Sequence, residues 1–345
     1  MANNSENKTS RLQQWLERIW YEDGKGRLLL LPFSLLYCAV NAYQRKTQSK
    51  DQIKLPCPVI VVGNITVGGT GKTPLTIHIT KLLQKAGYKP AIITRGYGGK
   101  AVNWPQYVTA SSDAGLVSDE AVLMASRTGV PVYAGANRLE SIRELLHTHE
   151  CNVIISDDGM QHYKLPRDIQ IAVIDGERQF GNGYCLPAGP LREKKERLDD
   201  CDLIIVNGKN KSQNHWYNMI LEGYSFTNLK THAEIYLGEF KAKRIHGVTG
   251  IGNPQRFFSS LEQKGFDIIK HSFPDHYNFK QSDLSFNDDL DILMTEKDAV
   301  KCRNFATDKY WYFPVEAQID ASFDNQLLNL LENTISRKNK TQTQS

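Results

Sequence analysis

Residues 59–87 constrain this chain more than any other stretch. An all-apolar run, Val59–Gly63, ends in the loop Gly63-Asn64-Ile65-Thr66-Val67-Gly68-Gly69-Thr70-Gly71-Lys72-Thr73. The loop opens directly into an amphipathic pattern: Leu75, Ile79, Leu82, Leu83 and Ala86 share one face, and Gly87 closes it. The spacing predicts a buried strand, a tight loop and a helix. Glycines let backbone N–H groups curl around an anion, and the helix N-terminus adds its dipole. Lys72 then stands where it would neutralise the outer phosphates of a nucleotide, and the Thr73 hydroxyl where it would ligate Mg²⁺. One position departs from the strict spacing: Thr66 occupies the place, six residues before the lysine, where a glycine is usual.

The rest of the chain repeats the strand–helix alternation. Apolar runs at 90–94, 130–134, 152–156, 169–174 and 203–206 read as further strands, most of them separated by helical patterns. That order predicts an α/β fold of the P-loop NTPase type, a mainly parallel sheet with helices on both faces. Residues 208–240 are irregular and rich in Asn, Lys and aromatics, which reads as a linker. A second α/β unit follows, with strands at 244–249, 266–271, 292–295 and 310–314 and helices at 254–264 and 325–335. The expected organisation is an N-terminal segment 1–50, a P-loop domain 51–207, a linker or hinge 208–243, a smaller α/β domain 244–335 and a polar tail 336–345.

A phosphate loop needs a metal partner at the end of another strand. The run at 152–156 leads into Asp157-Asp158-Gly159, and two successive carboxylates at a strand's carboxyl end suit an Mg²⁺ held partly through water. Arg95, Asn137, Arg138 and Asp175 also follow strands, at the edge where open α/β sheets bind ligands. Asp119 opens a helical pattern in Ser118-Asp119-Glu120-Ala121. Its position reads first as an acid favoured by the helix dipole; a general base would be kept ionised by the same placement.

Composition narrows the partners. The net charge of +4, with both signs interspersed, does not argue for nucleic acid. The six cysteines are scattered, with no C-x-x-C pair, so neither a zinc site nor a redox motif is suggested. Near the N-terminus, Leu12, Trp15, Leu16, Ile19 and Trp20 fall at helical spacing. An apolar run over 28–40 follows, interrupted by Pro32 and Ser34 and trailed by Arg45, Lys46 and Lys50. It is short for a span, which takes about 20 apolar residues. Two readings stand: a helix packed on the protein's own core, and one lying in a membrane interface.

The chain resembles the tetraacyldisaccharide 4′-kinase family of lipid A biosynthesis. The resemblance rests on GNITVGGTGKTP, ITRGYGG, SDEA, GANR, SDDGMQH, LPAGPLRE, GVTGIGNPQRFF, FPDHYNF and LMTEKDAVK, spread from about residue 57 to 302. Thr66 belongs to that family's pattern. The resemblance implies an ATP-dependent kinase that phosphorylates the 4′-hydroxyl of an acylated glucosamine disaccharide 1-phosphate. Its fold would be a P-loop domain joined by a two-stranded hinge to a smaller α/β domain. Residues Thr66, Val67, Gly68, Gly69, Thr70, Gly71, Lys72 and Thr73 match its nucleotide loop, with Arg138 and Arg192 as further nucleotide-site positions. Asp119 matches its catalytic base and His276 the histidine paired with it. Thr73, Asp157, Asp158 and Glu193 match the surroundings of the Mg²⁺. It also implies peripheral attachment to the anionic cytoplasmic face of the bacterial inner membrane, which favours the interfacial reading of the N-terminal segment. No nucleic acid or obligate protein partner is implied. Two positions depart from the pattern: Ser118, where a glycine is expected before the Asp-Glu pair, and Tyr277, where a second histidine is frequent.

The alternatives are a nucleotide-switch ATPase or GTPase and a kinase for a soluble small molecule. Against a GTPase, neither Asn207-Gly208-Lys209-Asn210 nor Thr295-Glu296-Lys297-Asp298 matches an Asn-Lys-x-Asp guanine signature. Val67 stands where partition-type ATPases carry a lysine.

Overall fold

In the computed structural model, residues 15–22, 26–208 and 216–342 are described. The polar start of the chain (1–10), Leu12 of the N-terminal pattern, residues 209–215 of the Asn- and Lys-rich stretch and residues 343–345 of the polar tail lie outside them. Two compact units emerge, each assembled from separated stretches of sequence. One comprises 1–72, 152–219 and 319–345; the other comprises 73–151 and 220–318.

The first unit is built on strands β1 (Val59–Gly63), β5 (Val153–Asp157), β6 (Ile169–Asp175), β7 (Leu203–Asn207) and the start of β8 (Tyr217–Glu222). β1 lies between β5 and β6 and pairs parallel with both; β6 pairs parallel with β7, and β7 with β8. Both faces of β1 are covered, so its residues are apolar without alternation, as central strands of parallel sheets require. The register sets Val62 opposite Asp157, which draws Asp157 into the strand as its last residue.

The second unit holds β2 (Pro90–Thr94) paired parallel with β4 (Val132–Ala134), and β3 (Gln106–Val108) antiparallel to β4. It also holds a six-stranded sheet in the order β10-β9-β14-β13-β11-β12. Four of these, β11 (Arg244–Thr249), β12 (Asp267–Ser272), β13 (Ile292–Thr295) and β14 (Tyr310–Phe313), run parallel. β9 (Ser225–Asn228) and β10 (Glu234–Tyr236) add antiparallel. Phe226, Phe240, Phe257, Phe258, Phe266 and Phe313 fill one core of this sheet.

The stretch read as an irregular linker therefore contains β8, β9 and β10. These strands are short: in β8 only Met219 is buried, in β10 no residue is, and the buried β9 has four residues, which leaves no period-2 signal to read. The C-terminal helix runs over Ala321–Gln342, well past the expected end at 335, on polar residues of good helix propensity.

The helix Arg27–Gln48 has its polarity reversed. Leu28, Leu29, Phe33, Leu36, Val40 and Tyr43 are exposed, Leu29 at 79%. The opposite face makes the bonds to the protein: Ser34 Oγ donates to the Cys185 carbonyl (2.7 Å), Asn41 Nδ2 to the Arg192 carbonyl (2.7 Å), and Arg45 pairs with Asp200 (2.5 Å). No described helix is long and apolar enough to cross a membrane.

Candidate active site

The loop after β1 is held open by its neighbours in the first unit. Val67 N–H donates to the Pro190 carbonyl (2.8 Å) and Arg192 N–H to that of Ile65 (2.6 Å), with a bridge between Thr66 and Leu191. From the end of β7, Asn207 Nδ2 donates to the Thr70 carbonyl (3.0 Å). Gly71 takes φ +93°, and a Cβ there would stand 2.4 Å from the Asn207 amide nitrogen. Only glycine allows both the backbone conformation and the approach of that amide.

Lys72 opens the helix Lys72–Lys85, and its Nζ lies 3.3 Å from Asn64 Oδ1 and 3.5 Å from Asp158 Oδ1. Arg192 Nη1 also reaches Asp158, at 3.2 and 3.3 Å, and Gln161 Oε1 at 3.3 Å. Gln161 Nε2 in turn donates to the Asn64 carbonyl and to Glu193 Oε1, both at 2.9 Å. Glu193 is buried and also faces Arg197 Nε at 3.4 Å. Lys72, Asp157, Asp158, Arg192, Glu193 and residues 66–71 thus belong to one unit. Thr73 follows Lys72 in the same helix, and its hydroxyl comes with the first turn.

The donor set fits a nucleotide with Mg²⁺. A Cβ at Gly69 would meet nothing within 4 Å, so the loop backbone is open there, and the Thr70 hydroxyl is buried with no hydrogen-bond partner among the described residues. Asp157 is 1% exposed at the strand end. Among the described residues no group of three or more His, Cys, Asp or Glu could hold a metal alone. Mg²⁺ at phosphate sites is ordinarily held by one or two carboxylates together with phosphate oxygens and water.

The second unit carries a separate cluster. Asp119 begins the helix Asp119–Thr128 and is 3% exposed. His276 Nδ1 lies 3.2 Å from both of its oxygens, and Lys301 Nζ lies 3.5 Å from Oδ2. Behind the imidazole, Lys297 Nζ stands 3.5 Å from His276 Nε2 and bonds to Glu120 (3.0 Å) and Asp275 (3.5 Å). Lys301 is itself held by Asp298 at 2.8 Å. The completely buried Asp298 also accepts from Thr249 Oγ1, Gly250 N–H and Thr295 Oγ1. The Tyr97 ring meets His276 edge-on at 5.0 Å.

These contacts set the charges. Burial pushes the Asp119 carboxyl up, but the His276 hydrogen bond and the Lys297 and Lys301 ammoniums outweigh it and bring it down to about 2. Burial lowers His276, yet its bond to Asp119 leaves it above its ordinary value. Lys297 is raised: the carboxylates of Glu120, Asp119 and Asp275 more than offset its burial. The result is an ionised carboxylate facing a histidine that favours its protonated form.

The profile described as "Tetraacyldisaccharide-1-P 4'-kinase" matches residues 26–332. The chain belongs to the tetraacyldisaccharide-1-P 4′-kinase family. The tetraacyldisaccharide 4′-kinase of Nitrosococcus oceani is 48% identical over 94% of this chain and 97% of that protein. Its counterpart from Methylobacillus flagellatus is 45% identical over 91% and 95%. Among solved structures, the crystal structure of LpxK from Aquifex aeolicus in complex with ATP superposes with a TM-score of 0.75. It is 27% identical and covers 88% of this chain and 99% of its own. As a member, this chain is an ATP-dependent kinase of lipid A biosynthesis that phosphorylates the 4′-hydroxyl of the acylated disaccharide 1-phosphate. The P-loop α/β reading of the sequence holds with it, and the switch-protein alternative falls away.

Of the residues picked from the sequence, Asp119 and His276 are brought together from 157 positions apart. Arg138 starts the helix Arg138–Thr148 and is 3% exposed. Arg95 is exposed, and Asp175 caps the turn after β6 by accepting from the Glu177 and Arg178 N–H groups. Sequence reasoning assigned no role to Asn64, Gln161, Asn207, Lys297 or Lys301. For the two lysines a signal exists: spacing i, i+4 in one helix, behind a Thr295 cap, puts two cations on adjoining turns. For Asn207 none does, because its role depends on which strand lies beside the loop.

Proposed function

We propose that the transfer runs on two sets of residues. The loop Thr66–Thr73 holds the ATP phosphates, with Lys72 at the outer ones and Arg138 and Arg192 completing the nucleotide site. Mg²⁺ would be held by Thr73 with Asp157 or Asp158, and would supply charge neutralisation across the β- and γ-phosphates. Glu193 would reach the ion or its water by giving up its bond to Gln161. Arg192 and Lys72, which pair with Asp158 here, would turn part of that interaction toward phosphate oxygens.

Asp119 accepts the proton of the sugar 4′-hydroxyl, and His276 orients it and balances its charge. The observation that carries this is the pairing of His276 Nδ1 with both Asp119 oxygens at 3.2 Å, inside a ring of cations. A carboxylate near 2 is a weak base for a free alcohol. Phosphoryl transfer passes through a loose transition state, so the hydroxyl becomes acidic only as the new bond forms, and the proton moves late. A base of this kind contributes roughly 10²–10⁴-fold.

The exposed apolar face of Arg27–Gln48 lies in the interface of an anionic inner membrane, on the cytoplasmic side, and delivers the acylated substrate. Its support is the reversed polarity: polar residues bond to the protein and large apolar ones face out.

Labelled ATP and the acylated disaccharide 1-phosphate, incubated with the protein and Mg²⁺, test the whole. Transfer of label to the lipid is expected, with Asp119→Ala lowering kcat by roughly 10²–10⁴-fold. Near-normal kcat in Asp119→Ala would remove it as the base.

A further inference from the structure

Arg178 has no part in the functional assignments made above, yet it stands over the nucleotide loop. Gly68 takes φ +104° at the loop apex, four residues before Lys72. A Cβ built there would meet one group within 4 Å, the Arg178 Nη1 at 3.8 Å, while at Gly69 it would meet nothing. The apex of the cradle is thus open except for a guanidinium.

That guanidinium is placed with care. Asp175 fixes its backbone by accepting from Arg178 N–H (3.0 Å), and the Tyr21 ring lies under the side chain, 5.2 Å from Cζ. The Tyr21 segment is clamped to the same loop. Asn182 N–H and Nδ2 donate to the Trp20 and Ile19 carbonyls (2.8 and 3.0 Å), and Trp20 Nε1 donates to Pro187 (2.9 Å). Among the described residues no carboxylate pairs with Arg178, whereas Arg192 and Lys72 are both matched by Asp158. A half-buried arginine held by an aromatic face, without an acidic partner and beside a phosphate loop, is arranged to receive an anion.

We propose that Arg178 is a built-in arginine finger that contacts the terminal phosphate of the bound nucleotide, and that Tyr21 is its positioning residue. The inference rests on the kinase reading. In the step, the 4′ oxygen forms a bond to the γ-phosphorus while the bond from that phosphorus to the β–γ bridging oxygen breaks. ADP leaves with the electron pair and the hydroxyl proton goes to Asp119. The guanidinium binds the non-bridging oxygens as their charge redistributes, and its planar fork does what an ammonium cannot.

The test uses the full chain with Mg·ATP and lipid acceptor. Arg178→Ala is expected to lower kcat by about 10²–10³-fold. Its ATP dissociation constant should stay within about threefold, while affinity for ADP with aluminium fluoride falls as far as kcat does. Added guanidinium ion should restore part of the rate, and Arg178→Lys little of it. Tyr21→Ala should lower kcat by about 2- to 5-fold, with Tyr21→Phe restoring it. If the alanine variant folds poorly, Arg178→Gln carries the same comparison. A kcat within threefold of the unmodified protein, or a loss confined to ATP affinity, overturns the proposal. Failure of the unmodified protein to label the lipid would instead sink the kinase reading.

Discussion

Ser118 sits immediately before Asp119 with φ +98° and ψ 136°, a region that side-chain-bearing residues rarely adopt. The conformation aims the helix start so that Asp119 meets His276, which explains why a glycine is expected at this position. Serine keeps it at a cost of about 1–3 kcal/mol. Ser118→Gly should therefore raise stability by about 1 kcal/mol, part of the relief being offset by the freer unfolded chain. Urea unfolding at constant m-value checks this. The pair itself is sensitive to pH from both sides. Asp119 is depressed, so its contribution is present above its ordinary 3.8 and lost as pH falls through about 2. His276 is raised, so its contribution is full below 6.5 and lost as pH rises through its folded value. The stability difference between the native protein and Asp119→Asn should be largest between about pH 4 and 6.5 and shrink above. Melting temperatures across pH 4–9 would show it; a difference that grows with pH would contradict the pairing.

At the scale of the element, the helix Arg27–Gln48 poses the sharpest question. Its sequence allowed two docking modes, core or membrane interface. A run of Leu, Phe and Val reads as core until its neighbours are known. Here Ser34, Asn41 and Arg45 find partners at 151–155 positions' separation, and the apolar residues are left outside. Each fully buried Leu or Phe is worth about 1.5–3 kcal/mol on leaving water. Leu29→Asp with Phe33→Asp should thus cut binding to anionic vesicles at least about tenfold per site. The melting temperature should move little, because neither side chain packs on the protein. Vesicle flotation reads the first and calorimetry the second. Unchanged flotation would remove this face as the anchor. The short strands β8 to β10 teach the converse: runs of three to six residues, β8 and β10 mostly half-buried or exposed and β9 buried largely through polar residues, carry too little pattern to be read as anything but loop.

For the whole molecule, the two compact units partition the chemistry. The phosphate loop from Gly68 to Lys72, Asp157, Asp158 and Arg192 lie in one, and Asp119, His276, Lys297 and Lys301 in the other. Removing the proposed base should leave nucleotide binding alone. Asp119→Asn is expected to bind ATP within about twofold of the native protein, while Lys72→Ala weakens it at least about tenfold through the lost charge-assisted contact. Equilibrium binding of a fluorescent nucleotide distinguishes them; a matching loss in both variants would mean the sets do not act separately.

The phosphate loop and its flanking strand and helix were legible in the sequence, because their determinants are local. Glycines, a lysine at the helix start and an apolar stripe all fall within 30 residues. The acidic strand end at Asp157 was legible for the same reason. His276 and Asp119 could be paired from sequence only by resemblance, since nothing within either segment specifies the other. Tertiary structure alone placed Asn207 against Gly71, Lys301 between Asp119 and Asp298, and Arg178 above Gly68. Those contacts depend on which strands neighbour which and which helices pack face to face, and spacing along the chain does not encode that order.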